Sequence, residues 1–295
     1  MRFNREGIHR TIRANTIKTN SETLLEILKN RHLNVYPVNE IPNAIVVRGE
    51  SKALGSTHEY LKGHYAIQGL AGQLAVLLFD FLPFLSGATT KKARVLDMTS
   101  APGGKTCQIA ALLSNTGSII AIERSSVRVR KLVANLSRLR VTNTIVLRGD
   151  AAGWAPRLGL FSHVLLDAPC SGSGSICRSP GKPWQRHIAE LSTYRQIQAK
   201  LLKTGVMALA PGGELIYSTC SIEPEENEQV VLEVLSDLPD YFSLFPLGKV
   251  HANDFASLKS NGPILDPRLD GYPLRFLPSK HFEGFFIAKV VRSAG

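Results

Sequence analysis

The spacing of apolar and polar residues changes along the chain. From Ser21 to Asn30 (SETLLEILKN) leucine and isoleucine recur three and four apart behind a serine, which predicts a capped amphipathic helix. Ala44 to Gly49 (AIVVRG) is a β-branched run and predicts a strand. Ile67 to Leu82 (IQGLAGQLAVLLFDFL) is apolar on almost every face and predicts a buried helix. From Ala93 onward short apolar runs alternate with helical periods. The runs ARVLDM, SIIAIE, TIVLRG, HVLLDA and GELIYS predict strands. KTCQIAALLS, the stretch after Glu123, and Ile188 to about Ala210 predict helices between them. Glu223 to Leu238 predicts another helix, with Pro224 in its first turn and an acidic cluster at the positive end of its dipole. EGFFIAKVV predicts a closing strand. Such alternation argues for a doubly wound, mostly parallel α/β sheet, with ligands outside the carboxyl ends of its strands.

Composition narrows this picture. A chain of 295 residues fits one large domain with a small one, here a small α+β unit over residues 1–60 and a larger unit over 61–295. The longest apolar stretch, Leu74 to Leu85, is too short to span a membrane and carries Asp80 and Pro83. No secretory h-region is visible in MRFNREGIHRTIR. The four cysteines, Cys107, Cys170, Cys177 and Cys220, form neither a C-x-x-C zinc pattern nor an iron–sulfur spacing. Free thiols in a chain of this size suit a reducing, cytoplasmic setting, and no metal is expected. With 35 basic against 24 acidic residues the net charge is +11, which favours a polyanionic partner. Between Arg124 and Arg148 seven residues are basic and none acidic, and Arg124, Arg128, Lys131 and Arg138 recur at helical spacing.

Four predicted strands end in carboxylates: Asp97, Glu123, Asp150 and Asp167. The first is followed by a Pro/Gly loop, Thr99, Ser100, Ala101, Pro102, Gly103, Gly104, Lys105, that leads into a helix. Glycines allow close backbone approach, and a helix N-terminus receives an anionic group. The spacing is neither a P-loop nor G-x-G-x-x-G. A carboxylate after the second strand suits a ribose diol. A helix cap explains any single acid of this kind, but the set of four fits S-adenosylmethionine.

Four blocks, DMTSAPGGKT, LLDAPCSGSGS, YSTCSIEPEENE and LRFLPSKHFEGFFIAK, resemble in content and order the signature blocks of the Nop/Sun family of RNA (cytosine-5) methyltransferases, over about Leu61 to Val291. RANTIKTN, with Arg13 and Asn15, more weakly resembles that family's entry into a small RNA-binding module. The resemblance implies a Rossmann-like S-adenosylmethionine-dependent methyltransferase fold. It also gives the two cysteines a shared task. Carbon 5 of cytosine is a poor nucleophile until a thiolate adds to carbon 6, and a base must then remove the carbon 5 proton. Chemistry alone leaves open which cysteine attacks. The resemblance implies Cys220 as nucleophile, Cys170 as the residue assisting release, Asp167 as a cytosine contact and Lys105 near the base. It further implies a cofactor site of Thr99 to Lys105, Glu123, Arg128, Asp150 and Asp167, with Glu123 on the ribose and Asp150 beside the adenine. Two positions depart from the family pattern: Thr99-Ser100-Ala101 where Cys-Ala-Ala is common, and GKPW after CRSP.

The basic loop Gly172 to His187 carries Trp184 and suits a flipped base with its flanking phosphates. Cys107, inside a helical pattern, reads as a small buried hydrophobe, and so does Cys177. The short build points to transfer RNA as substrate, with ribosomal RNA second, and to a monomer. The competing readings are an exocyclic-nitrogen methyltransferase, which Cys170 at the strand-four motif opposes, a small-molecule methyltransferase, which the charge opposes, and an RNA-binding assembly factor with secondary methylation.

Overall fold

Two sheets organise the chain. The computed structural model describes residues 9–49, 54–178, 189–247, 266–279 and 282–295. The first sheet is antiparallel in the order β2-β3-β1-β4, built from β1 (Arg10–Ala14), β2 (Asn34–Pro37), β3 (Ala44–Arg48) and β4 (Tyr65–Ile67). Helix α1 (Ser21–Asn30) packs on it. Its cap is Asn20 rather than Ser21, because the Asn20 side chain accepts from the Thr23 amide. Leu24 and Leu28 bury against Ile12, Val35, Ile45 and Tyr65 in a small core of their own. This sheet continues past residue 60, because β1 has a second edge that β4 pairs, through Ile12 and Ile67 among others.

The second sheet has the order β10-β12-β9-β8-β5-β6-β7, with β11 also paired to β12. Five strands are parallel: β5 (Arg94–Asp97), β6 (Ser118–Glu123), β7 (Thr144–Arg148), β8 (Phe161–Asp167) and β9 (Leu209–Thr219). β10 (Phe242–Leu244), β11 (Leu274–Phe276) and β12 (Phe285–Arg292) add antiparallel pairings at one side. The main helices are α2 (Leu70–Leu77), α3 (Gly104–Leu112), α4 (Ser126–Arg138), α5 (Ala189–Met207) and α6 (Glu228–Ser236). Leu96, Ile122, Val164, Leu166, Leu215 and Tyr217 are fully buried between the layers, each aliphatic side chain stabilising by about 1.5–3 kcal/mol. The fold is the expected Rossmann-like α/β sheet. β6 lies on one side of β5 and β8 on the other, so the winding reverses there and opens a crevice at the strand carboxyl ends.

Three elements differ from the sequence expectation. The apolar stretch expected as one helix over Ile67 to Leu82 is helical over Leu70–Leu77, breaks where the Asp80 amide donates to Glu214 at 2.6 Å, and resumes as a single turn over Leu82–Leu85. α5 ends at Met207 because the chain from Leu209 already pairs as β9. The helix expected over Glu223 to Leu238 is a 3-10 turn (Pro224–Glu226), a break at Asn227 (φ −120°, ψ −96°), and then α6. Its acidic cluster divides: Glu223 and Glu225 are half-buried, whereas Glu226 and Glu228, with Asn227 between them, are buried and held by side-chain bonds. No helix among the described residues is long and apolar enough to cross a membrane.

Arg13 and Asn15, the entry to the small unit, are not exposed for RNA. They join the two sheets. Asn15 is 1% exposed and its Nδ2 donates to Gly63 O and Leu139 O, both at 2.9 Å. Arg13 donates through Nε to Gln68 Oε1 at 3.0 Å and through Nη2 to Gly104 O at 3.4 Å, and burial lowers its guanidinium to about 10. Replacing Asn15 with Ala strands two buried carbonyls and is expected to cost about 2–3 kcal/mol. A urea unfolding midpoint equal to that of the parent protein would disprove the joint.

Candidate active site

The parallel pairing of β8 with β9 sets Asp167 beside Ser218. Cys170 follows three residues after the first and Cys220 two after the second, so both thiols leave the sheet at one place. Their sulfurs lie 3.3 Å apart. The Cys170 hydrogen bond lowers the Cys220 thiol from its ordinary value against the opposing effect of burial. Cys170 moves the opposite way, held up by its bond to Cys220 and then by burial. Cys220 is therefore the more acidic of the pair.

Asp167 is fixed on both carboxylate oxygens. Ser218 Oγ donates to Oδ1 at 3.0 Å and Lys105 Nζ to Oδ2 at 2.6 Å. Thr99 Oγ1 donates to the Asp167 carbonyl at 2.8 Å, which ties the loop after β5 to the end of β8. The Ser100 hydroxyl is likewise used inside the protein, donating to Ile122 O at 2.8 Å. The Ala101–Pro102 peptide is cis. Gly103 has φ +102°, and a Cβ there would meet Leu132 Cδ1 at 2.9 Å, so glycine is required at this entry to α3.

These groups border a cavity of about 490 Å³. Thr99, Ser100, Ala101, Pro102, Gly104, Lys105, Asp167 and Cys220 line it. Gly103, Glu123, Arg128, Asp150 and Cys170 do not. Glu123, buried at the end of β6, accepts from the Ser125 amide at 2.8 Å and pairs with Arg128 at 3.4 Å. Arg128 also donates to Ala101 O, so this pair braces the loop after β5. Asp150 is exposed and caps a single turn by accepting from the Ala152 amide at 3.1 Å.

The basic face expected on α4 divides. Arg124 and Lys131 are exposed. Arg138 turns inward, donating to Tyr60 O and Tyr65 O at 2.7 and 3.0 Å, and so ties this helix to the small unit. Cys107 is buried as expected, and burial pushes its thiol up to about 12. Cys177 lies in the 3-10 segment Ser173–Arg178, with its side chain outside the described residues, as is Trp184. No group of His, Cys, Asp and Glu suited to a metal occurs among the described residues.

Several residues of the site had only weak sequence signals. Asp97 was visible as a strand-end acid but not as a cavity wall. Its Oδ2 accepts from Thr106 Oγ1 at 2.7 Å, while its buried Oδ1 has no partner. Gly174 and Gly284 lie in quoted blocks, yet their role is tertiary. Gly174 N donates to Cys220 O at 3.0 Å and Gly284 N to Gly174 O at 2.9 Å, and a Cβ on Gly174 would sit 2.2 Å from Gly284 O. This close crossing brings Glu283 and Phe285 to the cavity. Gln68, which reaches the cavity from the small sheet, carried no signal at all.

Residues 87–291 match the family model described as 16S rRNA methyltransferase RsmB/F. The chain is 37% identical over 289 residues to a 28S rRNA (cytosine-C(5))-methyltransferase of Mus musculus, covering 95% of this chain and 34% of that protein. It is 34% identical over 298 residues to the ribosomal RNA small subunit methyltransferase F of Shewanella sediminis, covering 99% of this chain and 59% of that one. It thus spans between about a third and three-fifths of the length of these curated relatives. A solved methyltransferase homolog from Pyrococcus horikoshii superposes with a TM-score of 0.78 at 30% identity, covering 99% of this chain and 88% of that one.

Burial raises the Asp97 carboxyl to about 7. A raised carboxyl favours folding while protonated, so that contribution is full below about 4, the ordinary range of an unfolded Asp, and is lost as pH rises through about 7. Asp97→Asn, neutral throughout, should therefore gain on the parent protein in melting temperature between pH 5 and pH 8. A constant difference across that range would contradict the assignment.

Proposed function

The chain belongs to the Nop/Sun group of RNA methyltransferases, matched over residues 87–291 by the RsmB/F family model, and from this we propose that it transfers a methyl group from S-adenosylmethionine to carbon 5 of cytosine in RNA. The observation that carries the reading is the thiol pair: Cys220 on the cavity wall with Asp167 and Lys105, and Cys170 3.3 Å from it.

The residues present fit the cofactor. The unpartnered Oδ1 of buried Asp97 is an acceptor waiting for a cationic donor such as an amino group. The glycine-led N-terminus of α3 suits a carboxylate, and Glu123 at the end of β6 suits a ribose diol. When bound, S-adenosylmethionine supplies an electrophilic methyl group. The chain's own residues do the remaining work. The Cys220 thiolate adds to carbon 6, and the electron pair displaced from the 5,6 double bond makes carbon 5 nucleophilic. Asp167, held between Ser218 and Lys105, offers a fixed carboxylate for the ring's exocyclic amine, and the neighbouring Lys105 ammonium supplies positive charge against the negative charge that develops on the ring. Once Cys220 is bonded to carbon, Cys170 loses the anion that held its proton and gives that proton to water. The Cys170 thiolate then takes the carbon 5 proton, the double bond re-forms, and the sulfur–carbon electron pair returns to Cys220. One proton leaves to solvent per turnover.

The net charge of +11 supports a polyanionic substrate. The names of the relatives favour ribosomal RNA, whereas the short build suggested transfer RNA. Incubating Cys170→Ala with total ribosomal and transfer RNA and S-adenosylmethionine should accumulate a protein–RNA adduct that survives a denaturing gel. Cys220→Ala should form none. Sequencing the trapped RNA separates the two substrate classes, and an adduct that needs Cys170 but not Cys220 would reverse the roles. Glu123→Ala should weaken cofactor binding at least tenfold, about 1.4 kcal/mol, by calorimetry. Unchanged affinity would remove Glu123 from the cofactor site.

A further inference from the structure

Two thiols of like setting stand 3.3 Å apart, and something must make them unequal. Glu226, which the mechanism above does not use, lies behind one of them. It is 0% exposed. Its Oε1 accepts from the Ser171 amide at 2.8 Å and from Gln198 Nε2 at 3.0 Å, and its Oε2 accepts from Ser171 Oγ at 2.5 Å. Company made only of donors is that of a carboxylate anion. No basic side chain pairs with it among the described residues. A buried anion with hydrogen bonds but no cation projects its charge onto whatever lies beside it.

Cys170 is beside it. Gln198 Nε2 also donates to Pro169 O at 2.9 Å. The residues on both sides of Cys170 are therefore tied to the Glu226–Gln198 pair. The two residues after Glu226 hold the other cysteine's loop. Thr219 Oγ1 donates to Asn227 Oδ1 at 2.6 Å, and Asn227 Nδ2 donates to Ser221 O at 3.0 Å. Glu228 is ion-paired to buried Arg275, whose Nη1 donates to Ile222 O at 2.6 Å. Three consecutive buried residues thus bracket both thiols, and only the first turns its charge toward one of them.

The charges around each sulfur differ accordingly. Cys170 faces Cys220 and Tyr217 from β9, the Glu226 carboxylate, and the Gly172 amide, which donates to it. Tyr217 is neutral, its hydroxyl donating to Glu226 O at 2.6 Å and pushed up by burial. Cys220 faces Cys170, the Ser175 hydroxyl, Asp167 and Glu283. Asp167 is ion-paired to Lys105 at 2.6 Å, and Glu283 accepts from Ser175 Oγ at 3.1 Å; both acids oppose a thiolate on Cys220, which is lowered in spite of them.

We propose that Glu226 is a positioning residue that divides the work between the two thiols: it holds the Pro169–Cys170–Ser171 turn and sets an uncompensated negative charge behind Cys170, so that the proton shared by the pair rests on Cys170 and the anion on Cys220. The same charge makes Cys170, once its own proton has gone to water, the stronger base for the carbon 5 proton. The catalytic meaning rests on the function proposed above, while the division of the proton is a property of the protein alone.

The test is alkylation of the intact protein by iodoacetamide from pH 6 to pH 10, without RNA, with initial rates at each cysteine read by peptide mass spectrometry. Access scales a rate equally at every pH, so the midpoint is the quantity that reports the charge. In the parent protein the Cys220 midpoint should lie below that of Cys170; the reverse order overturns the proposal without any variant. Glu226→Gln should lower the Cys170 midpoint by about one pH unit, a tenfold rise in thiolate at a given pH, and raise that of Cys220. Glu226→Asp, which keeps the charge, should preserve the parent order. Unchanged midpoints in Glu226→Gln would show that Glu226 only satisfies the Ser171 amide, and the proposal falls. A methylation assay on RNA separates the two readings. Shifted midpoints with no RNA methylation by the parent protein would defeat the proposed function and leave the division of the proton standing. Methylation with unmoved midpoints would do the opposite.

Discussion

The parallel register of β8 with β9 is the constraint on which the site depends. Pairing Asp167 with Ser218 fixes where both strands end, and the two cysteine-bearing loops leave the sheet from adjacent positions. A shift of one residue would turn each side chain to the opposite face of the sheet and part the sulfurs. The register is secured by fully buried residues on both faces, including Val164, Leu165, Leu166, Leu215, Ile216 and Tyr217, which cannot be moved to solvent without losing several kcal/mol. The 3.3 Å sulfur contact is thus a consequence of core packing.

Around that contact, charge is handled by enclosure. Asp167 is met by Lys105 at the partly exposed cavity wall, while Glu228 with Arg275 and Glu214 with Lys289 form ion pairs in the interior. Buried pairs of this kind add little net stability but are costly to break, so they hold geometry. Among the described residues, buried Asp97 and Glu226 stand in no ion pair, and both face the site: Asp97 toward the cavity and Glu226 toward Cys170. A protein that leaves some buried acids unpaired concentrates its electrostatic work there.

The small sheet takes part in the same site. Thr11 and Gln68 bring its strands to the cavity wall, and Gln68 bonds both Arg13 and Gln108 of α3. Arg13 and Asn15, whose motif resembles the start of a small RNA-binding module, form the joint that sets this unit against the loop and helices of the cofactor side. An RNA segment guided by the small sheet would therefore enter a cavity whose two walls are already rigidly related.

The sequence by itself determined the alternation of strands and helices, the acids at the strand ends, the glycine-rich loop and the two cysteine blocks, because these depend on local period and on residue types that do only a few things. Helix ends were less legible. The break at Asn227, the early stop of α5 and the length of β9 are set by partners distant in sequence, so no local pattern marks them. The tertiary structure alone decided which polar residues face the cavity and which are ties. It turned Arg138 inward to carbonyls of the small unit, set Gly174 across Gly284, and placed Glu226 behind Cys170, 56 positions earlier in the chain. Those contacts depend on distance between segments, and distance between segments is what a sequence pattern of period two or 3.6 does not record.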